Sequence, residues 1–397
     1  MIPALLLLPL LAHLPTILAW GAAGHEMIAT IAQIHLHPNV RDKLCTILPA
    51  QAKCHLAPVA AWADQVKGHY PGSAPMHYVN PKLDHPSDHC EYGEHGWMNE
   101  DVNVLTAIMN ETARLMGGEG DIPLRFLVHF VGDMHQPLHL TGRDRGGNGA
   151  MFLFEGRHRN LHSVWDSGII TKNIRELGNY TTPLPSKQIE GALLGAIFDP
   201  YVRFIVWEGI RQWWRDDLPT WLTCPVKGDP YPHSSIDPSV PPSSPAWTDS
   251  LQSVTSFALK LLPASLSTAL SLAYPLPLKE TENLAAGLLA NTPVSRQAHT
   301  ADTGAAADQG QDIPAIPACP FTWSKPIHEL NCDVIWPKQY TGDHGSPLIE
   351  LDTPEYLGKI AGDKTVEKLL AMGGLRLASI LNTVLGAEDE QGLYFAY

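Results

Sequence analysis

The segment that most constrains the fold is 125–166, where histidine and aspartate recur inside an apolar frame. His129 and Asp133 are four residues apart, which places both side chains on one face of a helix, one turn from each other. His162 and Asp166 repeat this spacing further along the chain. The segment therefore predicts two helical faces that each carry an imidazole and a carboxylate.

The end of the first of these helices is also marked in the sequence. Pro137 cannot continue a helical ladder, which predicts a helix over 124–136 with His139 just past its end. Imidazole nitrogen and carboxylate oxygen are both ligands that zinc accepts. One His–Asp pair on a helix is most often a structural hydrogen bond. Two pairs with a third histidine between them favour a metal site.

The composition limits how such a chain could meet its partners. With 397 residues, 44% of them hydrophobic, the chain can bury a sizeable core. A net charge of −14 argues against a protein that holds nucleic acid through a basic surface. It does not exclude an enzyme that meets phosphates through bound cations.

The N-terminal segment 1–19 predicts a secretory signal peptide, because an apolar run at 5–8 is followed by a small residue, Ala19, at a cleavage position. A membrane anchor is the alternative, but Pro9 and Pro15 interrupt the apolar stretch, which is short for a span. We therefore expect a secreted, extracellular protein without stable membrane association.

Secretion gives the chain access to disulfide formation and N-glycosylation. Six cysteines suffice for three disulfides, although sequence alone leaves fifteen pairings open. Cys45 and Cys54 flank a short loop, and Cys224 and Cys319 bracket a long stretch of unusual composition. Asn-x-Thr glycosylation sequons begin at Asn110 and Asn179.

Outside the central segment the pattern indicates a mostly α protein. Helical spacing predicts helices over 26–47, 99–117, 186–222 and 364–385, and two short strands are predicted at 151–154 and 157–159. Residues 225–318 are rich in Pro, Ser, Thr and Ala and are interpreted as an insertion containing two short helices, 247–262 and 279–291. The acidic tail 387–397 is expected to be loose.

Two further candidate ligand groups lie nearer the N-terminus. Cleavage after Ala19 would make Trp20 the first residue, and its free amine and carbonyl could chelate a metal with His25 close by. The alternative is a hydrophobic helix start, and these residues alone leave both open. Asp64 lies among apolar neighbours, so it must be capped, paired or a ligand, because an unpaired buried carboxylate is costly.

The motifs together resemble a known family. They are W-G-x-x-G-H at 20–25, W-A-D at 62–64, H-Y-V-N-P at 77–81, H-F-V-G-D-x-x-Q-P-L-H at 129–139, G-G-N at 146–148 and N-L-H-S-x-W-D at 160–166. In this order they look like the secreted zinc-dependent single-strand nucleases of the S-one/P-one type. The resemblance covers roughly 20–215 and 319–385, and the insertion lies outside it.

The resemblance implies a single helical domain of the phospholipase C/nuclease P-one type, here 20–224 with 319–386, around a cleft that holds three zinc ions. One zinc would take Asp64, His77 and His129, and a second would take His139, His162 and Asp166. The third would take the amine and carbonyl of Trp20 with His25, while Asp133 would bridge the first and third. Catalytic roles would fall to Asp64, Lys67 and Asp133, with Lys67 stabilising transition-state charge unless it is simply a solvated surface lysine.

The activity implied by the resemblance is that of an extracellular endonuclease, expected to be monomeric. It would hydrolyse single-stranded DNA and RNA to 5′-phosphate products and act on 3′-nucleotides as a 3′-nucleotidase.

Tyr78 is the candidate for stacking an unpaired base. Asn80 stands where family members carry an acidic residue. Asn148 would either contact substrate or set its turn. Cys90 and Cys332 look like the family's long-range disulfide.

Two other functions remain compatible with these residues. A zinc-dependent phospholipase C would use the same metal chemistry, although Asp166 favours the nuclease because the lipase relatives carry glutamate there. A secreted zinc protein without catalysis would need a closed metal site, with no open position for water. A cleft lined by Tyr78 is the feature that distinguishes the nuclease.

Overall fold

The computed structural model describes residues 20–226, 228–231, 316–342, 347–387 and 390–397. They belong to one compact unit, formed by residues up to 233 and from 313 onward. The expected signal peptide 1–19 and the helices predicted at 247–262 and 279–291 lie outside the described residues.

The described part is mostly helical, as the sequence predicts. Its α-helices are α1 (Ala22–Ile34), α2 (Pro38–Ile47), α3 (Trp62–Gln65), α4 (Val104–Met116), α5 (Asp121–Met134), α6 (Leu161–Ser163), α7 (Ile169–Glu176), α8 (Lys187–Glu190), α9 (Asp199–Phe204), α10 (Leu218–Leu222), α11 (Pro320–Leu330), α12 (Leu357–Gly362) and α13 (Thr365–Leu385). Strands β1 (Met151–Phe154) and β2 (Arg157–Asn160) pair antiparallel, with Met151 opposite Asn160. Short 3₁₀ segments span Ala50–Ala52, Ala57–Val59, Pro71–His77 and Pro137–Leu140, and π-helical segments span Val164–Gly168, Ile205–Trp213 and Asn331–Ile335.

Helix α13 lies at the centre of the core and packs along α1. Two adjacent glycines bring the helices together, because a Cβ on Gly374 would overlap Ile31 and one on Gly373 would press on Ile28. Among the described helices, α13 alone has the length and apolar composition to cross a membrane, but 72% of its most apolar window is buried in the protein. It is therefore the helix around which the other core elements pack.

Several helix boundaries differ from the prediction because proline and capping residues set them. The predicted helix 26–47 is two helices, since α1 ends at Ile34 and Pro38 starts α2. The predicted helix 99–117 starts at Val104. There the Asn103 carboxamide oxygen accepts from the backbone NH groups of Leu105 (3.0 Å) and Thr106 (3.1 Å).

The predicted helix 186–222 is in fact three short α-helices and a π-helical segment, and its tryptophans divide between the core and the surface. Trp214 and Trp221 are buried at 7% exposure each, as expected of core residues, whereas Trp213 is 45% exposed. The prediction of one continuous helix was wrong because residues 191–198 leave the helical path, with Gly195 at φ 77°.

The structure differs from the predicted insertion boundary at 225 and from the predicted loose tail. Asp229 accepts from the backbone NH groups of Phe321 (2.8 Å) and Thr322 (3.0 Å), which caps the first turn of α11. The described tail residues 390–397 pack on the core. The Tyr397 hydroxyl lies 2.7 Å from His35 Nε2, and the Tyr394 NH donates to the His35 carbonyl.

Three disulfides hold the described unit together, between Cys45 and Cys54, Cys90 and Cys332, and Cys224 and Cys319. These are the pairs that the loop spacing and the family resemblance suggested. The long-range pair joins the segment after His77 to the π-helical segment Asn331–Ile335 that follows α11. Both sequon asparagines, Asn110 and Asn179, are exposed.

Candidate metal centre

The described helices bring the predicted ligand side chains together in one buried cluster. His129 and Asp133 lie one turn apart on α5, and both are fully buried. Around them, α1 contributes His25, α3 contributes Asp64, and the 3₁₀ segment Pro71–His77 contributes His77 as its last residue. A second set lies beside them, with His139 on the 3₁₀ turn after α5, His162 on α6 and Asp166 on the following π-helical segment.

Four atoms in the first set converge as metal ligands would. His77 Nδ1 lies 2.9 Å from Asp133 Oδ2 and 3.7 Å from Asp64 Oδ1, while His129 Nε2 lies 3.3 Å and 3.5 Å from the same two oxygens. The two ring nitrogens are 3.1 Å apart. Zinc–nitrogen bonds of about 2.0–2.1 Å in a tetrahedron require ligand atoms about 3.3 Å apart. The set therefore fits one zinc ion.

The second set has similar proportions. His162 Nε2 lies 3.2 Å from Asp166 Oδ2, and the rings of His139 and His162 are 5.0 Å apart. One ligand atom from each of the three residues falls within 4.8 Å of the others, and all three side chains are buried. Three protein ligands leave a fourth position for water or substrate, which is the arrangement of a catalytic rather than a closed structural zinc site.

Backbone carbonyls fix the orientation of three of these imidazoles. The Nδ1–H group of His129 donates to the Ala60 carbonyl (2.7 Å). The same group of His139 donates to the His77 carbonyl (2.5 Å), and that of His162 donates to the Gly146 carbonyl (2.6 Å). Each Nε2 then keeps its lone pair and faces the cluster. Nε2 of His139 and of His162 is buried without a hydrogen-bond partner. Buried lone pairs without donors are what a bound cation would satisfy.

Asp133 lies between two groups of ligands. Its Oδ2 faces His77 and His129, and its Oδ1 lies 3.3 Å from His25 Nε2. The His25 ring stacks on that of His129 at a centroid distance of 3.9 Å, and neither of its ring nitrogens has a hydrogen-bond partner. This geometry permits Asp133 to bridge two metals.

Trp20 is fully buried at the start of α1, and the following residue is tied to the second ligand set. The Gly21 NH donates to the Asp166 carbonyl at 2.9 Å, and the Trp20 Cβ lies against Gly24, just before His25. The position of Trp20 is compatible with an N-terminal ligand, although its amine is free only in a processed chain.

Burial controls the protonation of these groups. Desolvation lowers the pKa of His25, His77, His139 and His162, to about 4 for His162, so these rings are neutral near pH 7 and can act as ligands. Burial also raises the pKa of Asp133 and Asp166 well above the usual range. A cation in the cluster would offset this cost and keep both carboxylates ionised.

The remaining predicted residues lie at the edge of the cluster. Lys67 Nζ is 2.7 Å from Asp64 Oδ1, with its side chain 30% exposed. Tyr78 follows His77 and is 37% exposed. Asn80 packs against Gly142, and the Asn148 side chain donates to the Arg145 carbonyl (2.9 Å) within its turn.

Two residues support the ligand cluster but are not predicted from the sequence to have a functional role. A Cβ on Gly132 would overlap the His25 ring, so glycine there makes room for that ligand. Gln136 is fully buried, and its Nε2 donates to Asp166 Oδ1 at 2.6 Å. Both lie inside the quoted motif 129–139, but their partners are distant in sequence and the motif does not reveal them.

We expect Gln136→Met to weaken metal binding by about 10–100-fold, because Asp166 would lose the donor that orients it. The zinc affinity of purified protein, measured by competition with a chelator, checks this. Gln188→Met is the matched control, since Gln188 is also buried but donates to the Ile34 carbonyl. Equal zinc affinities of the Gln136 variant and the wild type would contradict the role.

A third group of potential ligands is structural. Asp84 and His328 form a buried pair (3.0 Å) beside Cys90, but Cys90 is in a disulfide and cannot act as a thiolate. Asp84 also accepts from Thr141 (2.5 Å), two residues beyond His139. The Asp84–His328 pair therefore stabilises the chain beside the ligand cluster.

The fold and the cluster define a class, a helical protein with a candidate multi-metal hydrolytic centre, and comparisons identify its family. A sequence profile of S1/P1 Nuclease matches residues 20–195. Endonuclease 2 from Arabidopsis thaliana is 32% identical over 234 residues, which cover 55% of this chain and 73% of the relative. Nuclease P1 from Penicillium citrinum is 36% identical over 155 residues, 37% of this chain and 57% of the relative. Nuclease S1 from Aspergillus oryzae is 34% identical over 158 residues, with coverages of 38% and 54%.

The chain belongs to the S1/P1 nuclease family. It is therefore a nuclease, a hydrolase of phosphodiester bonds, and the family predicted from the sequence motifs is confirmed. Membership sets aside the alternatives of a phospholipase C and of a zinc protein without catalysis. The profile matches the part of the chain that carries all nine candidate metal ligands.

Proposed function

We propose that the chain is a secreted, monomeric, zinc-dependent endonuclease that cleaves single-stranded DNA and RNA to products with 5′-phosphates, and that the same centre removes phosphate from 3′-nucleotides. The observation that carries this proposal is the geometry of Asp133, whose two oxygens face two different groups of imidazoles. The assignment of three zinc ions follows from the two ligand sets described above and from His25 with Trp20.

The residues suit phosphodiester hydrolysis. Zinc ions bound there would supply Lewis acidity that lowers the pKa of water toward neutrality and balances phosphate charge. Asp64 on α3 and Asp133 on α5 would hold the metal ions in position, and the buried imidazoles would exclude bulk water. Lys67, with its ammonium beside Asp64 and partly exposed, would stabilise negative charge that develops on the phosphate.

Single-strand preference would come from Tyr78. Its ring is partly exposed directly after His77, and the tyrosine backbone is held in place because its carbonyl accepts from Val104 (3.1 Å) and from the Asn99 side chain (3.0 Å). Only an unpaired base can leave its stack to lie on such a ring. Asn80, with both an amide donor and an acceptor, would contact the edge of that base.

The activity is tested with matched single- and double-stranded oligonucleotides, with and without a chelator. We expect faster cleavage of the single strand, 5′-phosphate and 3′-hydroxyl ends on the products, and complete loss of cleavage after chelation. Release of phosphate from a 3′-mononucleotide tests the second activity. Equal rates on both substrates, or 3′-phosphate ends, would refute the proposal.

Tyr78→Ala should raise KM for single-stranded DNA about 5–150-fold, since stacking of one base contributes about 1–3 kcal/mol. Tyr78→Phe is the control because it keeps the ring and removes only the hydroxyl, so its KM should stay near that of the wild type. Steady-state kinetics on a short oligonucleotide measure both. Equal KM increases in the two variants would argue against stacking.

A short extension before Trp20 should remove one zinc ion per chain, because the terminal amine would become an amide that binds metal poorly. Elemental analysis of the extended protein measures the loss, and the same extension placed after Tyr397 is the control. Full zinc content in a protein whose extension is verified by N-terminal sequencing would exclude Trp20 as a ligand.

A further inference from the structure

The described residues form a cavity whose lining includes the buried guanidinium of Arg376. It has a volume of about 630 Å³ and is lined by residues of α10, α11, α12 and α13. None of the nine candidate metal ligands lines it. Volumes of this size are typical of pockets for small organic ligands.

Arg376 is the unusual residue of this cavity. It lies on α13 and is only 4% exposed. Nε donates to the Trp221 carbonyl (2.9 Å), and Nη1 donates to His135 Nε2 (2.8 Å) and to the Trp323 carbonyl (3.3 Å). Within the described part of the chain no carboxylate pairs with it. Burial lowers the pKa of this guanidinium to about 9, which still leaves it protonated at neutral pH.

A buried cation without a counter-charge is costly, and proteins normally pair it. Arg376 lines the cavity, and its Nη2 makes no hydrogen bond to any described residue. Nη2 is therefore a donor that is available to a ligand in the cavity. A ligand anion placed there would make a charge-assisted hydrogen bond in a poorly solvated environment.

The other lining residues of the cavity are of two kinds, charged residues at its rim and apolar residues along its wall. Lys359 and Lys368 line the rim together with Asp333 and Asp363, so the rim charges balance and the charge of Arg376 does not. The wall is formed by apolar side chains, chiefly Trp323, Ile327, Leu330, Leu369 and Met372. This arrangement suits a ligand with one anionic end and an apolar body.

We propose that this cavity is a binding site for an organic anion, a carboxylate or phosphate monoester whose charged end pairs with Arg376 and whose apolar body lies against Trp323 and Met372. Bound ligand would supply the counter-charge that the described fold lacks. The site is independent of the proposed nuclease mechanism, since the two share no residue. Arg376 also contacts His135, the residue that follows α5.

The test uses the processed, zinc-loaded full chain and isothermal titration calorimetry with octanoate, octyl phosphate and the neutral octanol. We expect at least one anion to bind more tightly than octanol, and the preferred anion identifies the natural head group. Arg376→Met removes the charge at similar volume and should weaken the anion by at least about tenfold while leaving octanol within about twofold.

Met372→Trp gives an independent test, because it narrows the cavity and leaves Arg376 in place. It should weaken the anion and octanol alike, so the proposal stays testable even if Arg376→Met fails to fold. Arg157→Met, on exposed strand β2, is the control for loss of an arginine and should change neither affinity. Failure of both anions to bind, or anion affinities that Met372→Trp leaves unchanged, would overturn the proposal.

Discussion

Replacing Asp133 with asparagine is expected to reduce phosphodiesterase activity by at least about a hundredfold, since even residues that only orient ligands contribute about 10–100-fold. Asparagine keeps the shape of the side chain but replaces one acceptor oxygen by an amide that can only donate. Whichever way it is turned, the side facing His77 and His129 or the side facing His25 loses its ligand. We therefore expect the zinc content to fall as well, by up to two ions per chain.

The matched control for this variant is Asp199→Asn. Asp199 is also buried, at 5% exposure, but lies on α9, where it accepts from the Gly195 NH at 2.8 Å. It should lose some stability and keep both zinc and activity. Zinc by elemental analysis and initial rates on a single-stranded oligonucleotide give the two readouts. An Asp133 variant with its full metal content would exclude the bridging role.

Gly132→Ala is expected to have the second largest effect, although alanine is the better helix former by about 1 kcal/mol. The added methyl would occupy the space of the His25 ring, which stacks on His129 and faces Asp133. Overpacking of a closely packed interior costs about 1–3 kcal/mol, which exceeds the gain in propensity. The protein should therefore lose stability and also lose the metal that His25 would bind.

Gly362→Ala provides the comparison for this substitution. Gly362 ends α12, and a Cβ there would meet no atom within 4 Å. Chemical denaturation and zinc content, measured on both variants, separate helix propensity from the clash. A Gly132 variant with wild-type stability and zinc would mean that His25 can move without consequence.

Features that depend on local spacing could be predicted from the sequence. The four-residue offset of His129 and Asp133 placed both on one face of α5, and the same offset placed His162 beside Asp166 at 3.2 Å. Helix ends set by proline are also readable in principle, because Pro38 starts α2 inside the single helix that apolar spacing predicts over 26–47. Periodicity reports the buried face and does not report chain breaks.

Features that depend on distant partners could not be predicted in this way. Tyr397 docks on His35 across 362 positions of sequence, and nothing in the composition of an acidic tail indicates that contact. The functions of Gly132 and Gln136 likewise depend on His25 and Asp166, which only the fold brings to them. Residues that position metal ligands can therefore be identified only when the three-dimensional structure shows which ligands they contact.

The most direct test of this account is the zinc content of the purified chain after N-terminal sequencing has confirmed that it begins at Trp20. The two ligand sets, together with His25 and the terminal amine, predict about three zinc ions per chain, removed by a chelator together with the nuclease activity. A processed, active protein with one zinc ion or none would contradict a metal centre built from these residues.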